Sequence, residues 1–285
     1  MLKERKRKVL TRFSPQIRSK HPSYDNLRGR LEKLPFRSVV RFGSTTEIGD
    51  ERRLGGNRIE INTPDSIRNS ADKLKMKQCF TQAGVKTAKW GKANAYSSIT
   101  NEGVVYTQHD LPNTILNYPI IAKHRFGARG EGNTKLDNQQ ELEAWMTGKT
   151  LSNYIFEKFY TYSREYRLHV SILGECFYTC RKMLRRDTPE SETWHRHDDN
   201  CVWILEENPS FNKPGNWEAI VEDCVKALKS LGGDIMGFDV KMQGSSKQNP
   251  EWIILESNSA CSLGEMTTVK YKEHIPLVLK YKKSL

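Results

Sequence analysis

Along residues 62–84 the apolar positions Ile67, Ala71, Leu74, Phe80 and Ala83 recur at roughly helical spacing. Thr63 and Pro64 read as an N-cap followed by a proline in the first helical position, and Gly84 stops the pattern, so the stretch is expected as a helix. "YPIIAKH" (118–124) is a short apolar run expected as a buried strand, and "DNQQELEAWMTG" as a short helix from Asp137 to a terminating Gly148. From residue 153 the period changes to two. Tyr166, Leu168, Val170 and Ile172 share one face of a strand, and Glu165, Arg167, His169 and Ser171 the other. A turn at Leu173–Gly174–Glu175 folds Phe177, Thr179 and Arg181 back beside them, which is expected to bring Arg167 and Arg181 together on a cationic face. Trp217, Ile220, Val221, Cys224, Val225, Leu228 and Leu231 mark an amphipathic helix that ends at Gly232–Gly233. In "DIMGFDVKM" Met236, Phe238, Val240 and Met242 point one way, Asp239 and Lys241 the other. If the return strand "EWIILESNSA" follows a turn centred near Lys247, Asp239 lies about opposite Glu256, with Asn258 on the same face.

Composition narrows the class. With 285 residues, 36% hydrophobic and 28% charged, the chain is that of a globular protein with ample core, and no run of roughly 18 apolar residues exists to span a membrane. "MLKERKRKVLTRF" has no apolar stretch of signal-peptide length, so a cytoplasmic protein is expected. The six cysteines form no C-x-x-C pair, against a zinc ribbon or a secreted disulfide framework. The net charge of +12 is uneven, because residues 1–37 carry twelve Lys/Arg against three acids. Such a segment reads either as a solubilising arm or as a surface for an acidic macromolecule, a protein tail or a nucleic acid. No helix-turn-helix, RNA-recognition or zinc-finger pattern supports sequence-specific reading of nucleic acid.

Two constellations carry chemistry. Asp239, Glu256 and Asn258 form a hard-oxygen set of the kind magnesium prefers. Lys123 closes a strand and is followed at once by Gly127, Arg129, Gly130 and Gly132, a loop whose backbone N–H groups can approach phosphate oxygens. The loop fits neither G-x-x-x-x-G-K-[ST] nor a dinucleotide fingerprint.

The order of these elements, "DK" at Asp72–Lys73, the strand ending in Lys123, the glycine loop, "FEKF" at 156–159, Glu165, then Asp239 and "ESN" at 256–258, resembles the ATP-grasp superfamily over about residues 62–275. It is most similar to the carboxylate–amine ligases, such as D-alanine–D-alanine ligase and the ligase that adds glutamates to a ribosomal protein. The resemblance implies an α+β fold of two lobes gripping ATP, with domains at 1–37 (basic arm), 38–88 (a reduced N-terminal α/β lobe), 89–160 (small lobe with the glycine flap) and 161–285 (C-terminal lobe). It implies that Lys73 and Lys123 hold ATP phosphates beneath the Gly127–Gly132 flap. Glu157, Lys158 and Phe159 would line the adenine, Glu165 would take the ribose hydroxyls, and Asp239, Glu256 and Asn258 would hold Mg2+. Arg181 and then Arg167 are the candidates for gripping a substrate carboxylate or acylphosphate, since a guanidinium fork binds such groups in two-point geometry. His195, His197 and Asn200 fall where the glutamate-adding ligases have an Arg-x-Asn stretch. Phe238 stands where D-alanine–D-alanine ligases carry an arginine, so their substrate geometry is not shared. The implied activity is ATP-dependent joining of a carboxylate to an amine. The alternatives are a kinase of the same fold and a nucleotide-binding module that acts on nucleic acid.

Overall fold

The computed structural model describes residues 9–13, 23–34, 36–46, 58–99, 105–110, 118–127, 130, 132–197, 199–244, 246, 248–261 and 263–285. Strands β1 (Val9–Phe13), β2 (Ser38–Phe42) and β3 (Ile59–Ile61) form a parallel sheet in that order, with helix α1 (Ser23–Leu31) as the crossover between the first two. Alternation in "VLTRF" turns Val9 and Phe13 into a core shared with Ile235, Tyr271, Ile275 and Val278 from the far end of the chain. Within the basic segment expected as an arm over 1–37, residues 9–13 and 23–34 are built into the N-terminal sheet and its cover.

The helix expected over 63–83 is two helices, α2 (Pro64–Ala71) and α3 (Lys73–Gln82). Thr63 caps α2 through its side chain, as expected. The break falls at Asp72, whose backbone is extended (φ −88°, ψ 105°). Its N–H closes α2 on the Arg68 carbonyl, and its carboxylate accepts the Leu74 N–H at 3.0 Å to open α3. Aspartate competes for backbone N–H groups and so favours such junctions over helix interiors.

The small lobe is a four-stranded sheet, ordered β4 (Trp90–Gly91), β9 (Tyr154–Lys158), β7 (Ile120–His124), β8 (Thr134–Leu136), and is packed by helix α4 (Gln139–Met146) on a core of Ile120, Ala122, Leu136, Leu142 and Phe156. A separate hairpin joins β5 (Asn94–Ile99) to β6 (Val105–Asp110).

The large antiparallel sheet runs β12 (Cys201–Leu205), β11 (Cys176–Leu184), β10 (Arg164–Ser171), β13 (Ile235–Gln243), β14 (Glu251–Asn258). One face buries Tyr166, Leu168, Phe238, Val240 and Met242 against Met76 and Phe80 of α3 and Ile220, Cys224 and Leu228 of helix α5 (Trp217–Ser230). Each such side chain contributes on the order of 1.5–3 kcal/mol by leaving water. The other face carries the charged residues.

Two irregularities set which residues meet there. Between β13 and β14 the register shifts after Asp239, which places it opposite Glu256 as expected. Between β10 and β11 a shift after His169 pairs Val170 with Cys176, and this brings Arg181 opposite Tyr166 and Lys182 opposite Glu165. The expected neighbours Arg167 and Arg181 are thus corrected. A slip of one residue moves every side chain to the other face of a strand. Arg181 lies on the Tyr166 face and donates to the Ser210 carbonyl at 2.6 Å, while Lys182 takes the place foreseen for it.

Helix α6 (Glu265–Ser284) closes the N-terminal sheet. Asn62, in the left-handed region at φ 58°, accepts the N–H groups of Asp234 and Ile235, and Lys282 of α6 pairs with Asp234 at 2.7 Å. These contacts weld the N-terminal sheet to the start of β13. Among the described residues no helix is long and apolar enough to cross a membrane.

Candidate active site

The site lies between the small lobe, α3 and the polar face of the large sheet. Lys73 and Lys77 stand one turn apart on α3 and so share a face. The Lys77 ammonium is fully buried and donates to Thr87 Oγ1 (2.6 Å) and the Leu255 carbonyl (2.9 Å), with Glu157 Oε1 at 3.1 Å. Leu255 is the extra residue of the β14 irregularity, and a bulged residue leaves the ladder and frees its carbonyl. The second oxygen of Glu157 accepts from Lys123 of β7 at 2.7 Å. Burial alone would raise the Glu157 pKa, but the two ammonium groups hold it down at about 2. Lys73 donates to the Gly127 carbonyl. Burial lowers its pKa, and nearby Glu256 works against that shift.

The glycine loop is anchored at its base. Asp72 pairs with Arg125 through 3.0 and 2.6 Å contacts, and the Arg125 carbonyl accepts the Lys73 N–H at 3.0 Å. Burial pushes the Asp72 pKa up, but Arg125 and the helix N–H groups bring it below the ordinary value. Gly130 (φ 82°) and Gly132 (φ 73°) adopt left-handed backbone that other residues resist. A Cβ on Gly132 would also press on His124 Cβ at 3.0 Å, and one on Gly130 would meet His195 at 3.5 Å. Arg129 lies outside the described residues.

On the large sheet the charges form two cross-strand rows. One is Lys182, Glu165 and Lys241; the next is Cys180, Arg167, Asp239 and Glu256. Arg167 grips Asp239 through Nε (2.6 Å) and Nη2 (2.8 Å), and Lys182 bonds Asp239 Oδ2 at 2.9 Å and faces Glu165 Oε1 at 3.0 Å. Asp239 is 1% exposed; burial favours its protonated form, and the two cations overcome this and hold its pKa well below the carboxylate range. Glu165 is lowered in the same way, against its own burial, by Lys182 and Lys241. Burial brings Lys241 down to about 8, although Glu165 pulls the other way. Arg196 sits 4.0 Å from Glu165 Oε2 and 4.3 Å from the Tyr162 ring centroid.

The predicted residues Lys73, Lys123, Glu157, Glu165, Asp239 and Glu256 thus interact within one charged network. Asn258 is next to it, opposite Gly237, with its Nδ2 buried and without a partner. The backbone N–H groups of Lys158 and Phe159 are committed to the Lys89 and Pro119 carbonyls at 2.9 and 3.0 Å, so neither is available as a donor to a base. Lys77, Lys182, Arg196 and Lys241 were not singled out from the sequence. The one-turn spacing from Lys73 and the strand period from Asp239 could have found Lys77 and Lys241. Seven cations (Lys73, Lys77, Lys123, Arg167, Lys182, Arg196, Lys241) face four carboxylates (Glu157, Glu165, Asp239, Glu256), an excess suited to a polyanion.

Among the described residues no group of three or more His, Cys, Asp or Glu side chains could hold a metal ion, and His195 and His197 gain no third ligand. Asp239, Glu256 and Asn258 still suit a hard cation that also takes oxygens from a bound molecule. A carboxylate offers about four acceptor sites. Arg167 and Lys182 use three of those on Asp239.

Solved structures share this arrangement of lobes along nearly the whole chain. D-alanine–D-alanine ligase from Bacillus anthracis, complexed with ATP, matches at a TM-score of 0.61 with 12% identity, covering 97% of each chain. The ATP-grasp ligase PsnB, complexed with a minimal precursor, matches at 0.58 with 13% identity over 97% of this chain and 99% of that one. The fold is ATP-grasp. In sequence, the coenzyme gamma-F420-2:alpha-L-glutamate ligase of Methanococcus maripaludis is 25% identical over 230 residues, 79% of this chain and 72% of that protein. No protein-family model matches the chain. In ATP-grasp terms the cluster sits in the cleft between the small lobe and the large sheet, with the glycine loop on one side and the Asp239–Glu256 pair on the other.

Proposed function

We propose that this protein is an ATP-dependent carboxylate–amine ligase of the cytoplasm. The observation that carries the reading is the joining of a cationic cluster (Lys73, Lys123, Lys182) to a hard-oxygen set (Asp239, Glu256, Asn258) in one charged network. The relatives named above are themselves ligases, two of them named for amino acids (L-glutamate and D-alanine), which favours the same chemistry here. Lys73, Lys123 and the Gly127–Gly132 loop bind the triphosphate; Glu165 takes the ribose; Glu157 fixes Lys123. Asp239, Glu256 and Asn258 would hold Mg2+, which would supply charge neutralisation on the transferring phosphoryl group.

A substrate carboxylate oxygen attacks the γ-phosphorus, the bond to the bridging oxygen breaks, and ADP leaves. An amine then attacks the acyl carbon of the acylphosphate, orthophosphate departs and the amine proton passes to solvent. Preorganised cations supply most of the rate through electrostatics. Arg167, committed to Asp239 at two points, positions that carboxylate, and Lys182 rather than Arg181 is the cation that β11 presents to the reacting groups.

The test is orthophosphate release from ATP and Mg2+ across paired amino acids, polyamines and acidic polymers, with a Glu256→Ala control. Release that needs both a carboxylate and an amine, and vanishes in the control, is the expected result. ADP formation without orthophosphate would overturn the reading in favour of a kinase, and ATP binding without turnover on any pair would favour a binding module.

A further inference from the structure

We propose that Lys241 is a further phosphate-binding lysine, one that donates to the polyphosphate of the bound nucleotide from the floor of the large sheet. The proposal rests on the nucleotide reading of this cleft and adds a residue to it.

The argument starts from how the chain treats its other buried lysines. Lys77 has Thr87, the Leu255 carbonyl and Glu157; Lys182 has Glu165 and Asp239; Lys123 has Glu157. Each is satisfied inside the protein, as an ammonium removed from water must be. Lys241 is 6% exposed and has neither a hydrogen-bond acceptor nor a carboxylate within ion-pair reach among the described residues. Its one close partner is the ring of Tyr162, 3.8 Å from Nζ to the centroid. A cation–π contact holds the ammonium in place but leaves its donor capacity unspent.

Its surroundings select the ligand. The charged groups facing Lys241 are Glu165, Lys123, Glu157 and Arg196. Both oxygens of Glu157 already face lysines, and those of Glu165 face Lys182 and Arg196. Arg196, on the same Tyr162 ring, has Nε and Nη1 buried without a hydrogen-bond partner. Lys241 therefore shares its surroundings with two further cations, Lys123 and Arg196, and the two carboxylates that face it are already engaged. A single carboxylate ligand would reach one of the two cations left with unspent donors, Lys241 or Arg196. An extended polyanion, whose oxygens repeat every few ångströms, can serve both and add a contact to Lys123, and a nucleoside triphosphate has that form. Strand alternation from Asp239 points Lys241 to the same face as the hard-oxygen set, so both can address one chain of phosphates.

The test is calorimetric titration of the full chain with ATP, inorganic triphosphate and adenosine, comparing the unmodified protein with Lys241→Met, Lys241→Arg and a remote control, Lys229→Met. Lys241→Met should weaken ATP and triphosphate by about ten- to hundredfold, the loss of a charge-assisted hydrogen bond, while Lys241→Arg recovers most of the affinity and adenosine is unaffected. ATP bound equally well by Lys241→Met would overturn the assignment and leave the nucleotide reading standing. Weakened adenosine with unchanged triphosphate would also overturn it, as a contact to the base or ribose. Failure of the unmodified protein to bind ATP or triphosphate would remove both readings. Should Lys241→Met fail to fold, lysine acylation mapped by mass spectrometry in the unmodified protein decides the matter. ATP must protect Lys241 and leave Lys229 unprotected, and equal labelling of Lys241 with and without ATP overturns the proposal.

Discussion

Glu157 and Asp239 are two solutions to one problem, a buried carboxylate shared by two cations. Glu157 draws its partners from separate elements, Lys77 from α3 and Lys123 from β7. Asp239 draws both from adjacent strands of one sheet, Arg167 from β10 and Lys182 from β11. The first cluster is a joint: through Lys77 it ties the small lobe to α3 and to the bulged carbonyl of β14. The second is a floor, fixed by the ladder on which its members stand. A joint holds its elements only through paired charges, whereas the floor's members keep their places on the ladder, where unpairing them strands buried charge and alters the field of the site.

The largest effect expected is at the floor. Asp239→Asn leaves the buried Arg167 guanidinium on a neutral amide and Lys182 with Glu165 alone, and should cost about 3–5 kcal/mol in urea unfolding. A loss under about 1 kcal/mol would mean that water reaches both cations. Glu157→Gln takes the shared carboxylate from two buried lysines, Lys123 and Lys77, and leaves Lys77 only its neutral acceptors; it should cost about 2–3 kcal/mol. Lys77→Met should cost less than Glu157→Gln, because Glu157 keeps Lys123. Acid separates the two clusters further. A carboxyl group whose folded pKa is depressed stabilises the fold above its unfolded value, and that stability is lost as pH falls through the folded value. For Glu157, lowered from 4.5 to about 2, the loss runs from about pH 5 to pH 2 and is on the order of 3 kcal/mol. Hydrogen exchange followed through that window should show α3 and β9 amides losing protection before those of β10 and β13; simultaneous loss would dissolve the distinction between joint and floor.

The same contrast explains what could be read from the sequence. Period two placed Asp239 and Lys241 on the face opposite Phe238 and Val240, and a turn centred near Lys247 brought Asp239 about opposite Glu256, because side-chain alternation is a local rule. The rule fails at bulges. The irregularity after His169 moved Arg181 to the Tyr166 face and put Lys182 in the site, and single-sequence patterning carries no signal for an extra residue in a strand. Lys77 was missed for another reason: its partners Thr87, Glu157 and Leu255 are brought to it only by the packing of α3 between two sheets. Asp72 fell inside the single helix expected between Thr63 and Gly84, and the break it makes needed the pull of Arg125, which lies 53 positions away in sequence.

That break supplies the smallest effect, and the one most confined to the flap. Asp72 caps α3 through Leu74 and holds Arg125 at the foot of the glycine loop. Asp72→Ala removes both and should cost about 1–2 kcal/mol of global stability. Asp72→Asn keeps a capping oxygen and loses the ion pair, and should cost under about 1 kcal/mol, since Arg125 is partly solvated. The two variants should differ in unfolding but agree in local dynamics. Both release Arg125, so exchange at the amides of Phe126 and Gly127 should rise alike in each. If it rises only in Asp72→Ala, the cap rather than the ion pair anchors the loop, and the joint extends one residue beyond Lys73 along α3 instead of reaching across to β7.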